Sequence, residues 1–527
     1  MAQAQLIILK NCLLSFNINY QPRQLPIMTI LPILSVLFVA SVLSANVKFI
    51  IKDNSTGNKK TCRLHIFNKN GQPQYDHNCP KCFDSFTCNG EANLSLTNGE
   101  YSYTIESGKE FLPVSGKISI KNITNIVKKI RLHQIADMNK EGWYAGDLHN
   151  HTDIKNTPLF IKSENINIAY VPNWWINPPL GRQWKTELTN YPPLIKIDDS
   201  HFLYTRAGED ERCDCTLMFF GLPENVKLPK VTWTFPPSVY FAEKFGKISN
   251  VWVHIDHLYW WQLPAILASG ELDSIEVINN NFTRNWMNIT EAWGKPRDKE
   301  KYPDPFGNAE YQQDIYFKIL NCGFRIPPAA GTAAPIGGGP FGYNRVYVHV
   351  NGKLTWKKWW NNLKAGKCFV TCGPLLRVTA NGNLPGYVFK SKKSIKIDLN
   401  IKVCSIDKIT KIQIIKNGEI YKSFSFNEFN KIKNNCNVAF NKNGWFLVRV
   451  LTDNPKIYRF AMTGPYYVEI ENSPKQIDKE SVEFFLNWAK QAAKRNPETD
   501  PEKRKIYDNY SKKTITFWQK LKNNRTI

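Results

Sequence analysis

Acidic side chains are scarce in this 527-residue chain: 45 Asp and Glu stand against 69 Lys and Arg, a formal charge of +24. A balance this basic favours acidic partners such as sulfated glycans, an anionic surface or phosphorylated substrates. Much of the excess lies in the C-terminal third, where a solvated lysine-rich surface accounts for it equally well. No apolar stretch beyond residue 45 is long enough to span a bilayer, so no membrane span is expected in the mature chain. Gly-x-Ser-x-Gly and the usual serine- and cysteine-hydrolase signatures are missing. The loop Gly337-Gly338-Gly339 lacks the lysine and spacing of a P-loop, so nucleotide binding is not expected, and neither is nucleic acid. Disorder is excluded in turn: 42% apolar and 13% aromatic residues are ample for packed cores.

What is present begins with an apolar run over residues 30–42, followed by the small pair Ser44-Ala45. Residues 1–45 therefore read as a signal segment, with Met28 as an alternative start, and the protein as secreted or lumenal. Cys62, Cys79, Cys82 and Cys88 cluster just beyond it, and export predicts two disulfides among them. Cys79-x-x-Cys82 lacks the second pair that a zinc knuckle needs. Sequons at Asn54, Asn93, Asn122, Asn281, Asn288, Asn509 and Asn524 suit a glycoprotein if the host is eukaryotic.

Length alone implies two to four domains. Residues 46–136 carry short strand-like runs and an Asn98-Gly99 hairpin signal, which predicts a β-sandwich resembling the carboxypeptidase-regulatory type. From 141 to 376, strand-like runs alternate with helical or loop material, the pattern of a (β/α) barrel whose site lies at the carboxyl ends of its strands. Residues 377–472 read as a β-rich C-terminal domain, and 473–527 as C-terminal helices. The apolar face of Val482, Phe485, Leu486 and Ala489 behind an Asp478 cap marks the first of these helices. The fold class expected is thus multidomain α/β and β.

The chemistry centres on Gly146-Asp147-Leu148-His149-Asn150-His151-Thr152. Residues i and i+2 of an extended segment face one way, so His149 and His151 can meet one ion together. Imidazole suits zinc, iron and related divalent metals. Further along, Glu209, Asp210 and Glu211 form an acidic run that fits either a site or a solvated loop. His254 and His257 follow another apolar run. Trp174 and Trp175 offer broad faces for a sugar or aromatic ring, and equally for core packing. Arg297 and Arg345 suit a carboxylate or phosphate, and equally a buried ion pair.

Gly146 to Thr152 resembles the first motif of the polymerase-and-histidinol-phosphatase (PHP) metallohydrolases. Gly208-Glu209-Asp210-Glu211-Arg212, Glu291-Ala292-Trp293-Gly294-Lys295-Pro296-Arg297-Asp298 and Gly342-Tyr343-Asn344-Arg345-Val346-Tyr347-Val348 resemble its CehA/McbA-like branch. That resemblance implies a distorted PHP-type barrel and a secreted hydrolase of an ester, amide, carbamate or phosphoester; the small-molecule or polymer substrate is unspecified. It implies metal ligands at His149, His151, Glu209 and His254, with His257 and Asn281 as secondary candidates. Asp147, Glu209 and Asp210 would be catalytic, Asp147 as a ligand or as the orienter of an imidazole. Arg297, Arg345, Trp174 and Trp175 would bind substrate. Two positions depart from the pattern: Gly331-Thr332-Ala333-Ala334-Pro335 lacks the acid and imidazole of the family's late motif, and Asn281 stands where relatives carry histidine. Fewer than three ions of zinc, iron or manganese are therefore expected. The alternative is a catalytically degenerate, PHP-like extracellular binding protein.

Overall fold

A computed structural model describes residues 44–523, apart from 123, 178–181, 186–190, 224–225, 227–229, 433–434 and 475–476. The expected signal segment lies outside the described residues except for Ser44 and Ala45. Those two open the first strand, Ser44–Asp53, with Ala45 fully buried opposite Leu96. The first domain thus begins two residues before the predicted boundary.

That domain consists of two sheets. Ser44–Asp53 lies between Glu91–Thr97 and Asn125–Leu132, and Thr61–Asn68 sits at the centre of the other sheet. Alternate residues Val47, Phe49 and Ile51 meet Leu64, Ile66 and Ile105 in one core, as a period of two requires. Cys62 and Cys88 stand opposite each other on the adjacent strands Thr61–Asn68 and Ser85–Asn89 with sulfurs 3.9 Å apart, and every described cysteine is a free thiol. The two expected disulfides are absent among the described residues, because a bond needs sulfurs at roughly 2 Å.

The central sheet closes on itself. Trp143–Gly146 pairs in parallel with Ile168–Asn177, which pairs in parallel with Phe202–Arg212. Cys215–Phe220 then runs antiparallel between Phe202–Arg212 and Trp252–Ile255. Ser274–Ile278 and Pro328–Ala330 continue in parallel. Backbone bonds from Leu148 to Ala330 (3.1 Å) and from His151 to Ala334 (2.7 Å) complete the circuit. Strands alternating with helices and loops follow the expected pattern, but one strand of the ring, Cys215–Phe220, is reversed, which departs from an all-parallel (β/α) barrel.

The boundary expected at 376 is not a gap. Cys368–Thr371 pairs with Phe460–Thr463, so most later strands extend the central sheet. Among the described residues, Leu375–Ala380, Ile395–Cys404 and Asn435–Phe440 form a separate small sheet. The terminal helices, Lys479–Lys494 and Pro501–Asn523, dock as expected. Asp478 caps the first by accepting from the Ser481 amide at 2.8 Å, and Val482, Phe485, Leu486 and Ala489 are all buried. Trp518 stacks on Phe485 and donates its indole N–H to the Pro264 carbonyl at 3.0 Å.

Candidate metal centre

Strand ends bring the site together. His149 and His151 follow Trp143–Gly146 and converge with ring centroids 5.4 Å apart. Leu148 turns into the core, and Asn150 donates to the Tyr170 carbonyl. Both imidazoles approach Glu209: His149 Nε2 lies 3.7 Å from Oε1, and His151 Nε2 lies 3.2 Å from Oε2. On the far side, His149 Nδ1 stands 3.3 Å from Glu276 Oε2. Two sets of donors result, His149 with His151 and Glu209, and His149 with Asp256 and Glu276, each with its ligand atoms within 4.8 Å of one another.

His254 joins the second set from the side. Its Nδ1 is 2.7 Å from Ser274 Oγ, which also accepts the Trp252 indole, and its Nε2 is 3.7 Å from Glu276 Oε1. Glu209 Oε2, His254 Nε2 and Glu276 Oε1 are buried without a hydrogen-bond partner. Buried polar atoms are almost always satisfied. Two carboxylate oxygens and an imidazole nitrogen buried in this way fit a divalent cation of the zinc, iron or manganese type.

Electrostatics agree with that assignment. Burial disfavours charge on His149, but Glu276 and Glu209 outweigh it and hold the imidazolium well above its ordinary range. A cation is therefore what this cage stabilises. Burial, together with the Glu209 charge, pushes Glu211 up to about 7. His257 follows the same logic as His149: burial opposes protonation, and its hydrogen-bonded partner Asp256 outweighs it.

Strand periodicity explains which predicted acids arrive. In Phe202–Arg212, Glu209 and Glu211 share one face and Asp210 the other. Asp210 is paired with Arg212, two residues on, and stands away from the cluster, contrary to the catalytic role expected for it. Asp147 reaches His149 through the main chain. Its carboxylate accepts the amides of His149 (3.2 Å), Thr332 (3.0 Å) and Gly342 (2.9 Å), and burial raises it to about 6. His257 hydrogen-bonds Asp256 and so borders the cluster from behind.

Several substrate-binding expectations fail for one reason: the groups are already engaged. Arg297 binds Glu291, Asp304 and the carbonyls of Ile289 and Tyr302. Arg345 binds Glu164 and the Gly342 carbonyl. Trp174 packs over Gly208 and stacks on Phe219 in the core. Trp175 does reach the site, 4.3 Å from the His151 ring, and donates to Glu211 at 3.0 Å. Asn281 is buried, its amide nitrogen donating to Tyr259 Oη (3.1 Å) and Asn308 Oδ1 (3.0 Å), which excludes an exposed sequon.

Glu276 and Asp256 are the residues that sequence reasoning missed. The signal for Glu276 is a lone acid inside Ser274–Ile278, a strand otherwise without charge and buried throughout. Charged groups are almost never fully buried unless partnered.

No family model and no curated protein matches the chain. A solved structure of fibronectin(III)-like modules of Clostridium thermocellum CbhA aligns with 18% of this chain and 96% of its own, at 17% identity and a TM-score of 0.13. A likeness that slight carries no inference about fold or function.

Proposed function

We propose that this chain is a metal-dependent hydrolase on a distorted PHP-type barrel, acting outside the cell or in a lumen. The observation that carries this reading is the pair of donor sets sharing His149, with three buried ligand-type atoms left without hydrogen bonds. His149, His151 and Glu209 would hold one ion, and Asp256, Glu276 and His254 complete the other side. A divalent metal held by these residues would supply Lewis-acid chemistry, lowering the pKa of a bound water and polarising the bond under attack. Asp147 fixes the His149 backbone, and Trp175 covers the imidazole of His151. Glu211, half-buried and able to exchange a proton near neutrality, is placed to move one. Arg297 and Arg345 are both tied into ion pairs, which favours an uncharged ester, amide or carbamate over a phosphoester.

Elemental mass spectrometry of the purified protein tests this. About one equivalent or more of zinc, iron or manganese is expected in the wild type and none in His149→Ala/His151→Ala at unchanged circular dichroism; equal metal contents would refute it.

A second reading, a binding protein that has lost catalysis, is favoured by Ala333 and Pro335, which offer no side-chain ligand, and by the engaged Asn281. Bound metal without turnover of any ester, amide, carbamate or phosphoester would select it.

A further inference from the structure

Two arginines far apart in sequence share one buried carboxylate. Arg63, on Thr61–Asn68 of the sandwich, donates from Nη1 to Glu164 Oε1. Arg345, which opens Arg345–His349, donates from Nη2 to Glu164 Oε2 at 2.9 Å. None of the three side chains is more than 6% exposed. Arg345 also donates from Nε to the Gly342 carbonyl at 2.7 Å. The Gly342 amide donates to Asp147 Oδ2 at 2.9 Å, and Asp147 Oδ1 accepts the His149 amide at 3.2 Å. Polar contacts therefore run without a break from the sandwich to the backbone of the histidine common to both donor sets.

The line has little slack. Gly342 sits at φ +71°, and a Cβ there would meet Ile166 Cγ1 at 2.8 Å and Glu164 Cβ at 3.0 Å. Residues 107–110 of the sandwich make separate anchors. Ser107 Oγ donates to the Ser163 carbonyl at 3.2 Å, and Lys109 Nζ to the Cys372 carbonyl at 2.9 Å. Glu110 accepts the Met138 amide at 3.1 Å and the Tyr347 hydroxyl at 3.2 Å.

Resting on the metal-binding reading above, we infer that Arg63 and Glu164 are positioning residues of the metal centre, through which the sandwich sets the placement of His149. The sandwich is on this view part of the site's scaffold and not an appended module. Partners that orient ligands from behind typically change metal affinity ten- to a hundredfold when removed.

The test uses the full chain, depleted of metal, with zinc affinity measured by competition against a chromophoric chelator and stability by urea unfolding. Glu164→Gln and Arg63→Met should each weaken zinc binding by about ten- to a hundredfold, and the double variant by less than the product of the two. Glu110→Gln, at the same interface but off the line, should lower the urea midpoint and leave zinc affinity unchanged. If Arg63→Met does not fold, the isosteric Glu164→Gln decides alone. Wild-type zinc affinity in folded Glu164→Gln would overturn the positioning role while leaving the metal centre standing. A wild-type chain that binds no zinc, iron or manganese would overturn the metal reading, and this inference with it.

Discussion

His149 Nδ1 faces Glu276 Oε2 at 3.3 Å across 127 residues of sequence. The contact joins the Gly146–Thr152 motif to an acid that no motif announces. Glu276→Gln keeps the shape and removes the charge, and should weaken zinc binding by about tenfold or more at an unchanged far-ultraviolet spectrum. Chelator competition measures it, and an unaltered affinity would exclude Glu276 from the centre.

Gly331 lies against the same pair. A Cβ there would fall 2.0 Å from Glu276 Oε1 and 2.3 Å from His149 Cβ. Gly331→Ala should therefore displace both ligands and abolish metal uptake, at a stability cost of about 1–3 kcal/mol. Metal content and urea midpoint together check this; full metal loading in the variant would contradict the geometry.

Arg297 should behave as a structural residue. Its guanidinium binds Glu291 and Asp304 and is fully buried. Arg297→Met takes the cation away from the buried Glu291 carboxylate and should cost about 3–5 kcal/mol in urea unfolding. Wild-type stability combined with a raised KM would instead restore it to substrate binding.

Lys109 gives a pH signature. Burial, helped by Arg345 and Arg459, lowers its ammonium to about 7 from 10.5. The unfolded chain binds this proton more tightly than the folded one, so the group opposes folding below pH 7 and does so progressively less from pH 7 to about 10. Lys109→Met should flatten the rise of stability over that window, as read from urea midpoints; an identical pH profile would refute the assignment.

Much of the site was legible because its signals are local. The spacing of His149 and His151 survives folding intact, and His254 lies in a strand that its composition announces, whereas Glu209 was legible only through the resemblance, since the strand Phe202–Arg212 that carries it was not expected. Asp210 was misread because alternation along a strand separates neighbouring acids, and a run of three gives no phase. For Arg345 and Arg297 the sequence left anion binding and a buried ion pair equally open, since their partners Glu164 and Asp304 are fixed only by tertiary contact. The C-terminal strands were read correctly as strands, but their membership of the central sheet depends on the long-range pairing of Cys368–Thr371 with Phe460–Thr463.

None of the side chains in the two donor sets is more than 6% exposed. An ion held in such a cage would exchange through local opening of the surrounding backbone, so the rate of exchange, as distinct from the affinity, would be set by that opening. Occupancy would then record the metal available while the chain folded. A preparation from one growth medium would carry that history through purification, and apoprotein would be reached more readily by refolding without metal than by dialysis against a chelator.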